Sequence, residues 1–103
     1  MNHEKIRQLD QVIHAPTRLA ILSILITVDN ASFTFLKEST GTTDGNLSTH
    51  LTKLEESGYI SIEKKFVGKK PQTTCAITKK GRTAFEKYLE QLEQIVQKQK
   101  ENF

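Results

Sequence analysis

Between Thr42 and Ile60 the sequence reads TTDGNLSTHLTKLEESGYI, and its helical repeat separates two kinds of side chain. At about 100° per residue, Leu47, Leu51 and Leu54 form one narrow apolar stripe. Gly45, Thr49, Thr52 and Glu56 lie opposite it, flanked by Asn46, Ser48 and Lys53. Small side chains near the start of such a helix let its backbone approach a surface closely. The Asn46 amide sets a donor beside an acceptor, the fork that matches the major-groove edge of adenine. A solvated face would carry more long charged residues than this one does before Lys53. Thr43, Gly45, Asn46, Ser48, Thr49 and Lys53 are therefore candidate contacts to base edges and backbone.

A second group lies just downstream. Lys64, Lys65, Lys69 and Lys70 surround Gly68. Like charges crowded at one end of a hairpin are mildly unfavourable, and attraction to phosphate explains them better than fold stability. Asp44 and Glu56 oppose such contacts. Asp44 reads as a first-turn acid facing the helix dipole, and Glu56 is far enough along to clear a groove. Arg18 fits a phosphate contact and a surface ion pair equally well.

Other chemistry finds little support. His3, His14 and His50 share no ligand spacing, and the single Cys75 makes neither a disulfide framework nor a metal cluster. His50 borders the leucine stripe and reads as a half-buried packing residue. Cys75, in a strand, reads as a small core residue. No nucleophile elbow, phosphate loop, dinucleotide fingerprint or paired carboxylate is present, so no catalytic residue, metal or cofactor is expected.

The chain has 103 residues, enough for one domain with a modest core. Its net charge of +3 is localised. Residues 1–41 and 82–103 each hold four basic and four acidic residues, whereas residues 42–81 hold seven lysines and four acids. The opening MNHEKIRQLD lacks an apolar signal core, and Leu19 to Val28 is about half of a membrane span. These features predict a cytoplasmic protein in a reducing compartment, with no membrane partner.

The elements that must position these groups follow from periodicity and turn chemistry. A helix is expected over His3 to His14, with Ile6, Leu9 and Ile13 on one stripe. Pro16 begins a second, largely buried helix that ends at Asp29-Asn30. Ala31 to Phe33 reads as an extended link, and Thr34 as the cap of a helix from Phe35 to Thr40 that stops at Gly41. Thr43 caps the next helix, which ends at Gly58. The period then changes to two: Tyr59 to Phe66 forms a strand with Ile60, Ile62 and Phe66 on one face. Val67 to Pro71 turns, and Gln72 to Ile77 returns. Thr78 caps a final helix from Lys79 to about Gln99. The predicted fold is α+β, mostly α: an N-terminal helix (1–14), a winged helix-turn-helix core (15–77) and a C-terminal helix (78–103) in a single domain.

RLAILSIL (Arg18 to Leu25), FLKESTGTTDGNLSTHLTKLEESGYI (Phe35 to Ile60) and GKKPQTTCAITKKGRTAFEKYL (Gly68 to Leu89) together resemble the small MarR/ArsR-like winged-helix transcriptional regulators. The resemblance spans about residues 8–97. It implies a helix, Thr43 to Gly58, entering the major groove of double-stranded DNA, with Lys69 and Lys70 at the tip of a wing on the flanking backbone or minor groove. It also implies a homodimer through the terminal helices. This chain departs from many relatives by placing Thr49 where an arginine stands, so its base preference is not inherited. The cysteine metal box of some relatives is missing.

The residues themselves support a dimer helix. Phe85, Leu89, Leu92 and Val96 are spaced 4, 3, 4, with Tyr88 and Ile95 widening the face, and a small body covers only the first half of such a helix. The expected function is sequence-specific binding of duplex DNA by a homodimeric repressor, with no separate effector domain and no small-molecule effector specified. Two alternatives remain at this level: a winged helix used as a protein-interaction module, and a nonspecific architectural DNA binder.

Overall fold

Asp10 divides the expected first helix. A computed structural model describes residues 3–101, and in it α1 covers only His3–Arg7. The Asp10 carboxylate accepts hydrogen bonds from the Val12 and Ile13 amides at 2.9 and 3.3 Å. These local bonds give the backbone an alternative to the helical ladder, so residues 8–15 run as turns. Leu9 and Ile13 remain buried despite the break.

The remaining order is α2 (Pro16–Leu25), β1 (Ala31–Ser32), α3 (Phe33–Thr40), α4 (Asp44–Glu56), β2 (Ile60–Val67), β3 (Lys70–Ile77) and α5 (Lys79–Glu101). Pro16 stands in the first turn of α2, where its missing N–H costs nothing. Ser32, not Thr34, caps α3: its side chain accepts from the Phe35 amide at 3.1 Å, so the helix begins two residues early. Gly41 closes α3 in the left-handed conformation. Only Thr42 and Thr43 then precede α4, which gives the tight helix-turn-helix.

The sheet is antiparallel in the order β1-β3-β2. Its register pairs Ile60 with Ile77, Ile62 with Cys75, Lys64 with Thr73 and Phe66 with Pro71. Each of these pairs shares a face. The inner end of that face, Ile60 and Cys75, is buried, and the core is completed by Ile21, Leu22 and Leu25 of α2, Leu36 of α3, the α4 leucines and the start of α5. The hairpin outruns this body, so Glu63 to Gln72 is exposed throughout. Phe66 lies on the predicted face but is not packed there. This winged-helix arrangement is mostly helical, with one small sheet.

Thr78 caps α5 by accepting from the Gly81 amide at 2.9 Å, and its hydroxyl donates to the Gly58 carbonyl at 2.6 Å. The 23-residue α5 is about 34 Å long and contributes to a longest dimension of 59 Å. Its inward stripe differs from the expected one. Phe85 and Tyr88 are 3% and 1% exposed within a single chain, while Leu92 and Ile95 are partly covered beside the core. The inward spacing is thus 3, 4, 3. Tyr88 is drawn in because its hydroxyl meets His14 Nδ1 at 2.8 Å. Phe85 and Tyr88 therefore belong to the chain's own core and drop out of the expected dimer face. Leu89 and Val96, each 46% exposed, stay on the outside. No described helix is long and apolar enough to cross a membrane.

Candidate nucleic-acid interface

The core anchors α4 through Leu47, Leu51 and Leu54, at 0%, 2% and 0% exposure. Full burial of each stabilises the docked helix by about 1.5–3 kcal/mol. At the front end, the Thr43 hydroxyl accepts from the Asn46 amide at 3.2 Å. Asp44 lies in the first turn, as the dipole favours, and pairs with Lys37 of α3 at 2.7 Å. That exposed ion pair ties the two helices of the motif only weakly.

With the leucines inward, Thr43, Gly45, Asn46, Ser48, Thr49 and Lys53 are all exposed. Thr52 and Glu56 share this face. The Thr49 hydroxyl donates to the Gly45 carbonyl at 3.0 Å. Its proton is committed within the helix, which leaves its oxygen as an acceptor and its methyl group outward. Nothing lies within 4 Å of a Cβ added at Gly45, and its φ is not left-handed. The fold itself has no need of glycine there, although a helical glycine costs up to about 1 kcal/mol relative to alanine.

Arg18 and His50 set the posture of α4. Arg18 Nε donates to the Val12 carbonyl at 2.6 Å, one terminal nitrogen reaches the Gln11 carbonyl at 3.4 Å, and the other meets His50 Nδ1 at 3.2 Å. In place of a surface ion pair, the guanidinium bridges the turn after α1 to the middle of α4. Accepting at Nδ1 requires the neutral imidazole, with its proton on Nε2. Burial first, and the Arg18 charge second, hold His50 below its ordinary pKa. Arg18 also borders a shallow depression with Ser48, Thr49, Thr52 and Lys53. Periodicity alone could not have revealed this bridge between residues 32 positions apart.

Tyr59 braces the same support, since its hydroxyl donates to the Asp10 carboxylate. Burial, then that bond, then the carboxylate charge push its pKa up to about 12. Cys75 is 1% exposed, and burial raises its thiol to about 11, so it stays protonated and packs as a small apolar group.

The wing is the β2–β3 hairpin. Gly68 has φ of 66° at the first central position of a two-residue turn. Lys64, Lys65, Lys69 and Lys70 all lie exposed along its outer half. Alternation sends Lys64 to the α4 side and Lys65 to the other. A concavity between helix and wing is lined by Ser48 and Thr52 from α4 and by Ile62, Lys64 and Thr73 from the hairpin. The exposed helix face and the basic hairpin therefore adjoin across one groove. The outward Phe66 at the hairpin end was not anticipated. Among the described residues, no three His, Cys, Asp or Glu side chains group as metal ligands.

Residues 17–96 match the family model described as a winged helix DNA-binding domain. An uncharacterised protein of Methanocaldococcus jannaschii is 36% identical over 85 residues, 82% of this chain and 92% of that protein. The structure of a transcriptional regulator homologue from Pyrococcus horikoshii OT3 superposes with a TM-score of 0.83 at 25% identity, covering 91% of this chain and 95% of the other. A crystal structure of an ArsR family transcriptional regulator gives a TM-score of 0.58 at 28% identity, over 91% and 92% of the two chains.

Proposed function

Since the chain belongs to the winged-helix DNA-binding domain family, with MarR- and ArsR-family transcriptional regulators as its structural neighbours, we propose that it is a homodimeric, sequence-specific repressor that occludes promoter DNA. In this reading α4 enters the major groove. Asn46 reads a base edge, Thr49 offers its methyl group and an acceptor, and Gly45 lets the backbone sit close to the groove wall. Ser48, Thr43 and Lys53 fix register on the phosphates. Lys64, Lys65, Lys69 and Lys70 hold the flanking backbone. The observation that carries the proposal is the glycine at position 45: an exposed helical site whose own fold gains nothing from glycine, at the centre of a small polar face beside a basic hairpin.

The dimer follows from α5. Leu89 and Val96 lie seven residues apart on its outer side, with Leu92 and Ile95 partly covered between them. A second copy of the helix laid along this stripe would bury all four. Two-fold symmetry would present two α4 helices to half-sites one DNA turn apart, about 34 Å. Selection of bound duplexes from a random pool tests the function: an enriched inverted repeat is expected, and an unenriched pool contradicts it. Sedimentation tests the dimer. The wild type should sediment as a dimer at tens of micromolar and a Leu89→Asp, Val96→Asp double variant as a monomer, while a monomeric wild type rejects the assembly.

A further inference from the structure

Among the described residues, Phe66 is the most exposed large apolar side chain, at 73%, and Val67 beside it is 58% exposed. Both stand at the far end of the hairpin, beyond the reach of the core. Phe66 is in register with Pro71, so ring and pyrrolidine lie side by side on one face. By alternation this is the face of Ile62, Lys64 and Thr73, which line the concavity next to α4. The apolar pair therefore points to the side on which α4 exposes its polar face. Pro71 has a fixed φ and no N–H, which makes this a stiff tip.

An apolar tip on a hairpin in water is a liability unless something receives it. Lys64, Lys65, Lys69 and Lys70 surround it, and Glu63 is the nearest acid in the hairpin. That charge repels the same tip on a second copy and suits a polyanion. In duplex DNA the apolar surface that a ring can enter, between two flanks of phosphate, is a base step opened from the minor groove. Pyrimidine–purine steps open most readily.

Resting on the DNA-binding reading above, we propose that Phe66, backed by Pro71, is a wedge that enters the minor groove beside the α4 site and partly unstacks a flexible base step, kinking the DNA toward its major groove. The lysines then grip the phosphates on either side. The wing thereby selects sequence through deformability at a position where no hydrogen bond is made to a base.

The test uses the duplex enriched by the full-length wild type, carrying a donor and an acceptor dye at its ends and 2-aminopurine at the flanking pyrimidine–purine step. Wild type should raise both energy transfer and 2-aminopurine fluorescence on binding. Phe66→Ala should lose both signals and bind about tenfold more weakly, while keeping the slope of log affinity against log salt. Phe66→Leu, still bulky and apolar, should restore most of the bend. Lys69→Ala should do the opposite, reducing the salt slope and preserving the bend in the bound complex. Phe66→Ala binding and bending like wild type overturns the wedge and leaves the DNA-binding reading intact. Loss of self-association instead of bending makes the tip a contact between copies, which also overturns it. A wild type that binds no duplex removes both proposals. The side chain is exposed, so these variants should melt like wild type.

Discussion

Gly81 packs so closely on Tyr59 that a Cβ at position 81 would stand 2.0 Å from the Tyr59 carbonyl oxygen. The same carbonyl accepts from the Thr78 amide at 3.0 Å, so the strand cannot withdraw without breaking the start of α5. Gly81→Ala should therefore lower stability by about 3 kcal/mol, at the severe end of overpacking effects. Chemical denaturation checks this, and an unchanged midpoint contradicts the close approach.

Gly45 presents the reverse case, a glycine with open space around it. Gly45→Ala should raise stability by about 0.4–1 kcal/mol by restricting the unfolded chain. It should at the same time weaken binding to the selected duplex, because the added methyl group separates backbone from groove. A thermal melt and an anisotropy titration on the same sample give both readings. Improved stability with undiminished binding would show that α4 keeps its distance.

The Arg18–His50 contact predicts a pH dependence. The folded His50 pKa is lowered from 6.5. As pH falls through the ordinary histidine range, the unfolded chain takes up a proton that the folded one resists. The contribution is thus complete above the ordinary histidine range and is lost as pH falls through the lowered folded pKa. Wild type should lose more stability across that interval than His50→Gln. In NMR titrations Arg18→Gln should move the His50 midpoint upward. A His50 midpoint at or above 6.5 in wild type contradicts the interaction.

The wing lysines should act through charge alone. Removing one lysine–phosphate interaction flattens the log–log salt slope by about 0.9. Lys69→Ala and Lys70→Ala should each do so, weakening selected and random duplexes alike. No change at low salt would remove the hairpin from the interface.

Much of this architecture is legible in the sequence because its signals are local. The leucine stripe, the Thr43 and Thr78 caps and the Gly41 stop each fall within a few residues and hold in the structure, while the turn expected over Val67 to Pro71 tightens to Gly68 and Lys69, with Val67, Lys70 and Pro71 in the strands. What escaped depends on distant partners or on competition between near-equal options. Asp10 accepts from two amides and ends a helix that apolar spacing would continue to His14. Ser32 outcompetes Thr34 for the α3 cap. Tyr88 replaces Leu89 on the inner stripe, where its hydroxyl pairs with His14, 74 positions away. On a helix, 3-4-3 and 4-3-4 stripes differ by one position, and only the partner decides. The exposed face of α4 was likewise readable from spacing, while the bridge from Arg18 to His50 was not.

The central claim is that α4 reads sequence through Asn46 and Thr49, and it is tested most directly by comparing the selected duplex with a scrambled one of equal length and salt. Wild type should prefer the selected duplex by about a thousandfold or more. Asn46→Ala and Thr49→Ala should each cost about 1–3 kcal/mol on the selected duplex and far less on the scrambled one. Equal affinity of wild type for both duplexes, or equal losses on both for the two variants, would contradict the account.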